Sequence, residues 1–116
     1  MIGWPATLRV FVAAGSTDLR RGFDGLAQLA RGPLAQDPLA GHLFVFANRR
    51  RDRVKILYRD RDGFAIWMKR LEKGSFRWPR ADADGVEIQP AELAALLGGI
   101  DLAATRRRAR YVRPVV

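Results

Sequence analysis

Cysteine is absent from this sequence of 116 residues, and His42 is its only histidine. The first absence excludes disulfides and thiolate chemistry and fits a reducing cytoplasm. The two together argue against a zinc or haem centre, so we predict no metal and no cofactor. The chain also lacks an apolar run of the ~18 residues that a membrane-spanning helix needs, and it lacks the pattern of a secretory signal peptide. We therefore expect a cytoplasmic protein.

Acidic residues are scarce in one third of the chain. Residues 41–80 hold twelve of the 21 Lys and Arg residues but only four of the twelve Asp and Glu residues, whereas the sequence on either side is nearly balanced. This third therefore carries most of the formal net charge of +9. Because a concentration of positive charge attracts polyanions, the composition favours nucleic acid or another anionic surface as the partner.

Hydrophobic periodicity predicts an α+β fold. A first strand at residues 7–13 is followed by a helix over residues 18–31, with Thr17 as its N-cap. Later strands are predicted at 43–47, 53–59, 64–71, 75–78 and 86–88, and a second helix at 90–97. We expect residues 1–102 to form one domain, an antiparallel β-meander of about five strands packed on one side by the first helix and capped by the short C-terminal helix. Residues 103–116 are predicted to be a basic, flexible tail.

Two predicted turns set the register of the basic strands. Residues 60–63 are expected to form a three-residue hairpin loop with Gly63 in the left-handed conformation, which pairs Asp60 with Phe64. Residues 72–74 are expected to form a second hairpin loop of this kind, with Gly74 in the left-handed conformation. In this register one sheet face collects side chains from three strands, namely Lys55, Leu57, Arg59, Trp67, Lys69 and Arg77. Lys55, Lys69 and Arg77 would form a cationic row across that face.

A basic sheet face with an exposed aromatic suits phosphate contact and base stacking. The Arg-rich turn at residues 49–53 adds guanidinium groups that match phosphate geometry. The predicted DNA-binding residues are Arg49, Arg50, Arg51, Arg53, Lys55, Arg59, Trp67, Lys69 and Arg77. The structural alternative is that the chain termini cover Trp67 and that the charges only keep a sheet soluble. We predict neither a membrane nor a small-molecule partner.

No catalytic site is predicted. The Asp pairs at positions 60 and 62 and at positions 82 and 84 lie in predicted turns, where Asp serves the backbone geometry. Nothing in the sequence makes carboxylates converge on metal ions as metal-assisted phosphoryl chemistry requires. His42 begins a strand, where a turn or capping role is expected. A small metal-dependent nuclease is the enzymatic alternative.

Four blocks of sequence, in order, resemble a known family: TDLRRGFDGL at residues 17–26, GHLFVF at 41–46, KRLEKGSFRWP at 69–79 and LLGGID at 96–101. The likeness spans roughly residues 8–102. It is to the TnpB accessory proteins of the insertion-sequence-sixty-six family of bacterial transposable elements, which are unrelated to the RNA-guided nuclease of the same name. Such proteins are encoded beside a separate transposase that carries the catalytic triad. The resemblance implies an auxiliary, non-catalytic role in transposition, with the transposase or another element-encoded accessory protein as partner.

Two positions depart from the family pattern. Gln89 stands before Pro90, where similar proteins usually have Thr or Ser as N-cap, so a weaker cap is expected. Residues 58–60 stand where relatives often show paired tryptophans, which reduces an aromatic platform there. The sequence thus predicts a non-catalytic DNA-binding accessory protein. The alternative is an adaptor whose basic face docks an acidic surface of the transposase.

Overall fold

A computed structural model describes residues 8–98, which contain five strands and two α-helices. In chain order these are β1 (Val10–Ala13), α1 (Phe23–Arg31), a 3₁₀ turn (Pro38–Ala40), β2 (Leu43–Ala47), β3 (Arg53–Asp60), β4 (Gly63–Arg70), β5 (Gly85–Ile88) and α2 (Pro90–Leu97). This confirms the predicted α+β class, and five of the six strand segments located in the sequence are present. The predicted tail at 103–116 lies outside the described residues. No helix in the described part of the chain is long and apolar enough to cross a membrane.

The sheet is mixed, with strand order β4-β3-β2-β1-β5. β1 and β2 pair in parallel, with Val10 beside Leu43, while every other neighbouring pair is antiparallel. The prediction of a purely antiparallel meander is therefore wrong. The reason is that α1 carries the chain back to the starting end of β1 before β2 begins, and such a crossover makes consecutive strands parallel.

Both faces of the sheet are buried at its central strands, each against a different helix. On the face that we call the α2 face, Val12, Val45 and Ile56 pack in one cluster with Leu93 and Leu96 of α2. On the opposite α1 face, side chains of β1, β2 and β3 pack against Leu26, Ala27 and Ala30 of α1, and these strand residues are Phe11, Phe44, Phe46 and Leu57. This double coverage explains why all five residues of β2 are apolar and buried, without the alternation of a one-sided strand.

Helix α1 begins five residues later than predicted. Its first residue is Phe23, and its N-cap is Gly22, which has no side chain to cap it. The Thr17 amide instead donates to the carbonyl of Ala47 at 2.7 Å, and the Asp18 carboxylate accepts from the Arg20 amide at 3.0 Å. Because these bonds hold residues 17–20 in a turn against the end of β2, the helix starts only beyond them.

The register of the β3–β4 hairpin differs from the prediction by one residue. Asp60 pairs with Gly63 across a two-residue turn, and Arg61, not Gly63, has the positive φ of 53°. Lys55 therefore lies opposite Met68, and Lys69 lies opposite Val54. Since a shift of one residue moves every side chain of a strand to the other face, Lys55 and Lys69 lie on opposite faces of the sheet.

The segment between β4 and β5 contains no strand where residues 75–78 were predicted to form one. Gly74 does have a positive φ of 75°, but the chain after it is irregular. The Phe76 amide donates to the carbonyl of Arg51 at 2.7 Å, and the side chains of Phe76 and Trp78 pack on the α2 face. The segment thus runs over the sheet instead of extending it.

The N-terminus of helix α2 is capped although its N-cap residue, Gln89, is not one of the residues preferred there. The side chain of Glu92 accepts a hydrogen bond from the Gln89 amide at 2.9 Å. Pro90 occupies the first helical position, where its missing N–H costs nothing. The structure therefore compensates through Glu92 for the absence of Thr or Ser before Pro90.

Candidate nucleic-acid interface

One end of the α1 face carries cations that the helix does not cover. Lys55 pairs with Met68, and Arg53 pairs with Arg70, so the four side chains lie on the same face of β3 and β4. Leu57, two residues further along β3, is completely buried, whereas Arg53 and Arg70 are exposed and Met68 is 61% exposed. On this face, the boundary between the part that α1 covers and the uncovered, cationic part therefore lies between Leu57 and Lys55.

An open groove of about 330 Å³ lies between this end of the sheet and the turn that precedes α1. Its walls consist of Thr17, Asp18, Leu19, Arg20, Asn48, Arg53, Lys55 and Met68. The Lys55 ammonium group donates to the Arg21 carbonyl at 3.2 Å, which holds the lysine beside the turn. We call this feature the basic groove. It brings together two of the predicted residues, Arg53 and Lys55, with one that was not predicted, Arg20.

The acidic member of the basic groove is paired. The guanidinium of Arg20 donates to both carboxylate oxygens of Asp18, with the shortest contact at 2.7 Å. These side-chain bonds, together with the bond from the Arg20 amide, hold the pKa of Asp18 well below its usual range. Asp18 is therefore ionised at neutral pH and offsets part of the positive charge of the groove.

The β2–β3 turn presents two further arginines beside the basic groove. Asn48 organises this turn, because its side-chain oxygen accepts from the amide of Arg53 at 3.0 Å and its side-chain nitrogen donates to the Asp52 carboxylate at 2.6 Å. The bond from Asn48 lowers the pKa of Asp52. Arg49 and Arg50 lie at the exposed tip. This part of the predicted basic turn is therefore open to a partner.

Arg51, in the same turn, points back into the protein. Its guanidinium donates to the carbonyl of Ala14 at 2.9 Å and to that of Gly15 at 3.4 Å. The Arg51 backbone has a φ of 58°, so this residue adopts the left-handed conformation within the turn. Partial burial lowers the pKa of the guanidinium. Arg51 thus serves as an internal anchor, unlike Arg49 and Arg50.

The predicted cationic row across three strands does not exist. Lys69 lies on the α2 face, where its ammonium group donates to the Leu97 carbonyl at the end of α2 at 2.6 Å. Trp67 is half-buried on the same face, opposite Ile56, and packs against the core cluster there. Arg77 lies in the irregular segment at residues 71–84 and not in a strand. The row fails because the hairpin register is shifted and because its third strand is absent.

Arg59 remains on the α1 face, but at the far end of β3 from Arg53. It is half-buried and lies opposite Phe64, near the hairpin turn. The structure therefore separates it from the basic groove along the strand. Residues Arg20 and Arg70, in contrast, were not predicted. A two-residue turn would have placed Arg70 opposite Arg53, while no local pattern brings Arg20 to β3.

The aspartates and the histidine do not gather into a metal site in the described part of the chain. Within residues 8–98 no three His, Asp or Glu side chains lie close enough to share a metal ion. His42 accepts a bond from the Arg9 amide at 3.3 Å, and its ring meets that of Phe11 edge-on. These contacts tie the start of β2 to the neighbouring β1, in contrast to the local turn or capping role that was expected for His42.

Comparison with known proteins supports the resemblance noted in the sequence. A family model described as IS66 Orf2 like protein, TnpB_IS66, matches residues 8–107. Two uncharacterized proteins of Sinorhizobium fredii (strain NBRC 101917 / NGR234) are similar. The first, y4hO, is 43% identical over 94 residues, which cover 81% of this chain and 82% of the relative. The second, y4jC, is 36% identical over 108 residues, which cover 93% of this chain and 92% of the relative.

No solved structure matches the chain. The family match extends over all the described strands and helices and includes the block at residues 17–26 that forms one wall of the basic groove. With this coverage, and with relatives of this identity, the chain belongs to the IS66 Orf2-like family of accessory proteins from insertion sequences.

Proposed function

We propose that this protein is a non-catalytic accessory protein of transposition that binds DNA through the basic groove and the adjoining tip of the β2–β3 turn. Membership of the IS66 Orf2-like family supports the association with transposition. The observation that carries the DNA-binding part is the convergence of Arg20, Arg53 and Lys55 on one open groove. Duplex and single-stranded DNA both present the phosphates that such cations contact.

The groove has room and chemistry for a phosphate backbone. It has a volume of about 330 Å³ and is open to solvent, so that a backbone phosphate can reach its cations from the surface. Arg53 and Arg70, on adjacent strands, stand directly opposite one another and are both exposed. Like charges placed opposite one another destabilise a sheet. An anion between them would relieve that repulsion.

The interface proposed here keeps part of the predicted set. Arg49, Arg50, Arg53 and Lys55 remain in it, and Arg20 and Arg70 join them. Three predicted residues serve internal contacts in this proposal and are not expected to touch DNA, namely Arg51, Trp67 and Lys69. The interface therefore comprises the uncovered end of the α1 face and the adjoining tip of the β2–β3 turn.

Fluorescence anisotropy with a labelled duplex of about 20 base pairs tests the proposal. For the wild-type chain the logarithm of the binding constant should fall linearly with the logarithm of the salt concentration, because phosphate contacts release counterions. Arg53→Glu combined with Lys55→Glu should weaken binding by about tenfold or more and reduce the salt slope by about two. A labelled single strand of the same length shows which form is preferred.

A variant of equal charge provides the control. Lys73→Glu combined with Arg80→Glu changes the net charge by the same amount, at two exposed positions in the segment that follows β4. We expect this variant to bind nearly as well as the wild type. If both double variants lose the same affinity, the attraction is only that of a basic protein, and the assignment to the groove is wrong.

The adaptor and nuclease alternatives give different results. Co-purification of the transposase after nuclease treatment, without DNA binding by the isolated chain, would replace the DNA proposal with a protein-docking function. Nicking of plasmid DNA in Mg²⁺ that disappears in Asp60→Asn or Asp62→Asn would contradict the non-catalytic assignment. We expect DNA binding and no nicking.

A further inference from the structure

Strand β4 has a neighbouring strand on only one side in the part of the chain that the structure describes. Its eight residues make it one of the two longest strands, and none is fully buried. Met68 is 61% exposed, and Ile66 and Trp67 are only half-buried. A long, partly apolar edge of this kind is a template for pairing with another chain unless something blocks it.

The hydrogen-bond pattern shows which residues of β4 offer their backbone to such a partner. The Leu71 amide donates to the carbonyl of Asp52 at 2.8 Å, which continues the β3–β4 ladder by one pair. In an antiparallel pair, alternate residues bond to the neighbour and those between them face away. The odd-numbered residues of β4 therefore bond to β3. The even-numbered ones direct their N–H and C=O groups outward, namely Phe64, Ile66, Met68 and Arg70.

We propose that β4 pairs antiparallel with β4 of a second copy of this chain, with Ile66 opposite Ile66 at the two-fold axis. In this register Phe64 lies opposite Met68 of the other copy, and Asp62, in the turn just before β4, comes next to Arg70 of the other copy. Each apolar side chain of the outward-bonding residues thus meets an apolar one, and the exposed Met68 is covered. Arg70 at one end of the strand and Asp62 in the turn at the other end thus bring opposite charges together across the interface.

Side chains on the α2 face fit in the same register. The residue opposite Trp67 is Ala65, so that a large side chain lies beside a small one. Lys69 lies opposite Gly63, which leaves room for the contact of Lys69 with the end of α2. The strand is therefore self-complementary in size and charge on both faces, as an interface on a two-fold axis must be.

Neighbouring registers lack this complementarity. Residues that direct their backbone groups outward must lie opposite residues that do the same. The two β4 strands can therefore shift relative to one another only in steps that keep even-numbered residues opposite even-numbered residues. The next register in one direction places Asp62 opposite Met68. The next in the other direction places Phe64 opposite Arg70 and Trp67 opposite Trp67. Only the proposed register pairs Asp62 with Arg70.

The pairing has a consequence for the surface of the assembly. A two-fold axis perpendicular to a continuous sheet keeps equivalent faces on the same side, so the two basic grooves would open in the same direction. The dimer itself does not depend on DNA binding, because its backbone hydrogen bonds and apolar contacts can form in the free protein. Arg70 is shared by the two proposals, so its variant is compared in nuclease-treated protein, where no DNA is bound. Failure of one proposal therefore leaves the other intact.

Sedimentation velocity on the nuclease-treated, full-length protein tests the proposal. The wild type should sediment as a dimer of twice 13.0 kDa at micromolar concentrations. Asp62→Arg alone and Arg70→Asp alone each place like charges opposite one another at both ends of the interface. Each should raise the dimer dissociation constant by about tenfold or more. Both positions are exposed, so neither change should disturb the fold.

Mixing the two variants gives the decisive result. A heterodimer of Asp62→Arg with Arg70→Asp restores opposite charges at both ends, so the mixture should dimerise although neither component does alone. Asp82→Arg and Arg80→Asp serve as controls at exposed positions away from β4. A monomeric wild type overturns the proposal. So does a dimer that neither β4 variant weakens, because it must then form through another surface.

An engineered cysteine checks the register independently, because the chain has no cysteine of its own. In the proposed dimer the two Ile66 residues form a hydrogen-bonded pair with Cα atoms about 5.5 Å apart, a distance that a disulfide can span. Oxidised Ile66→Cys should therefore migrate as a covalent dimer, whereas Leu39→Cys, at a position 49% exposed, should remain a monomer. Equal cross-linking of both variants would contradict the register.

Discussion

The Arg51 guanidinium lies 4.9 Å from the centroid of the Trp78 ring, and the indole N–H of Trp78 donates to the Ala13 carbonyl at 2.7 Å. The same guanidinium donates to the Ala14 carbonyl. Two side chains from distant parts of the sequence therefore hold the end of β1. This arrangement fixes the base of the β2–β3 turn whose tip carries Arg49 and Arg50.

Removal of the Arg51 side chain should destabilise the protein. Arg51→Ala loses two hydrogen bonds from a charged donor and the contact with Trp78, so the free energy of unfolding should fall by about 2 kcal/mol. Arg50→Ala, at the exposed tip, should change it by less than about 0.5 kcal/mol. Urea unfolding measures both. Equal effects of the two substitutions would show that the contacts of Arg51 do not contribute to stability.

Lys69 should matter for stability and not for DNA binding. Lys69→Gln removes a charge-assisted bond to the Leu97 carbonyl at the end of α2, where a cation is favoured by the helix dipole, and should cost about 1 kcal/mol. Lys73→Gln, which is exposed, is the matched control. DNA affinity should be similar for the two variants. A selective loss of affinity in Lys69→Gln would return this lysine to the DNA interface.

The negative charge of Asp18 offsets part of the positive charge of the basic groove, so its removal should strengthen DNA binding. Asp18→Asn keeps an acceptor for the Arg20 amide but removes the negative charge, and it leaves the Arg20 guanidinium able to contact phosphate. The affinity for DNA should therefore rise by about three- to tenfold. Asp82→Asn, in an exposed turn, controls for the change in net charge alone. An affinity gain no larger than that of the control would argue against a groove-specific role.

The ion pair between Arg9 and Glu87 should contribute to the dependence of stability on pH. The Arg9 guanidinium contacts the two Glu87 carboxylate oxygens at 2.7 and 3.0 Å, and these bonds lower the pKa of Glu87 in the folded state. A carboxylate with a lowered folded pKa stabilises the fold above its unfolded pKa and loses that contribution as pH falls through the folded value. Stability should therefore decline on acidification.

Glu87→Gln removes this contribution at every pH. Between about pH 6 and about pH 3 the variant should lose less stability than the wild type, because its residue 87 does not titrate. Urea midpoints across this range measure the difference. Parallel curves for the two proteins would show that the ion pair does not contribute to the acid dependence.

The sequence predicted which segments form strands more successfully than how the strands pair. Alternating apolar residues locate β3 and β4, but their register depends on which turn residue takes the positive φ. The structure uses Arg61 for this and not Gly63. The parallel pairing of β1 and β2 follows from the crossover through α1, which local periodicity does not show.

The candidate site was predicted only in part, because several of its contacts join residues that are remote in sequence. Charge composition alone indicates Arg53 and the arginines of the turn. The role of Arg51 depends on a contact with Ala14, and that of Lys69 on a contact with Leu97, both remote in sequence. Such contacts exist only in the folded chain. Arg20 likewise reaches the groove only because residues 17–20 turn against the end of β2.

Nuclear magnetic resonance tests the location of the DNA interface most directly. Backbone amide shifts would be followed while a short duplex is titrated into the isotope-labelled protein. The largest changes should map to residues 17–21, 48–55 and 68–70, which surround the basic groove, while β5 and α2 should change little. Changes concentrated on α2 and residues 71–84, with the groove unaffected, would contradict the account.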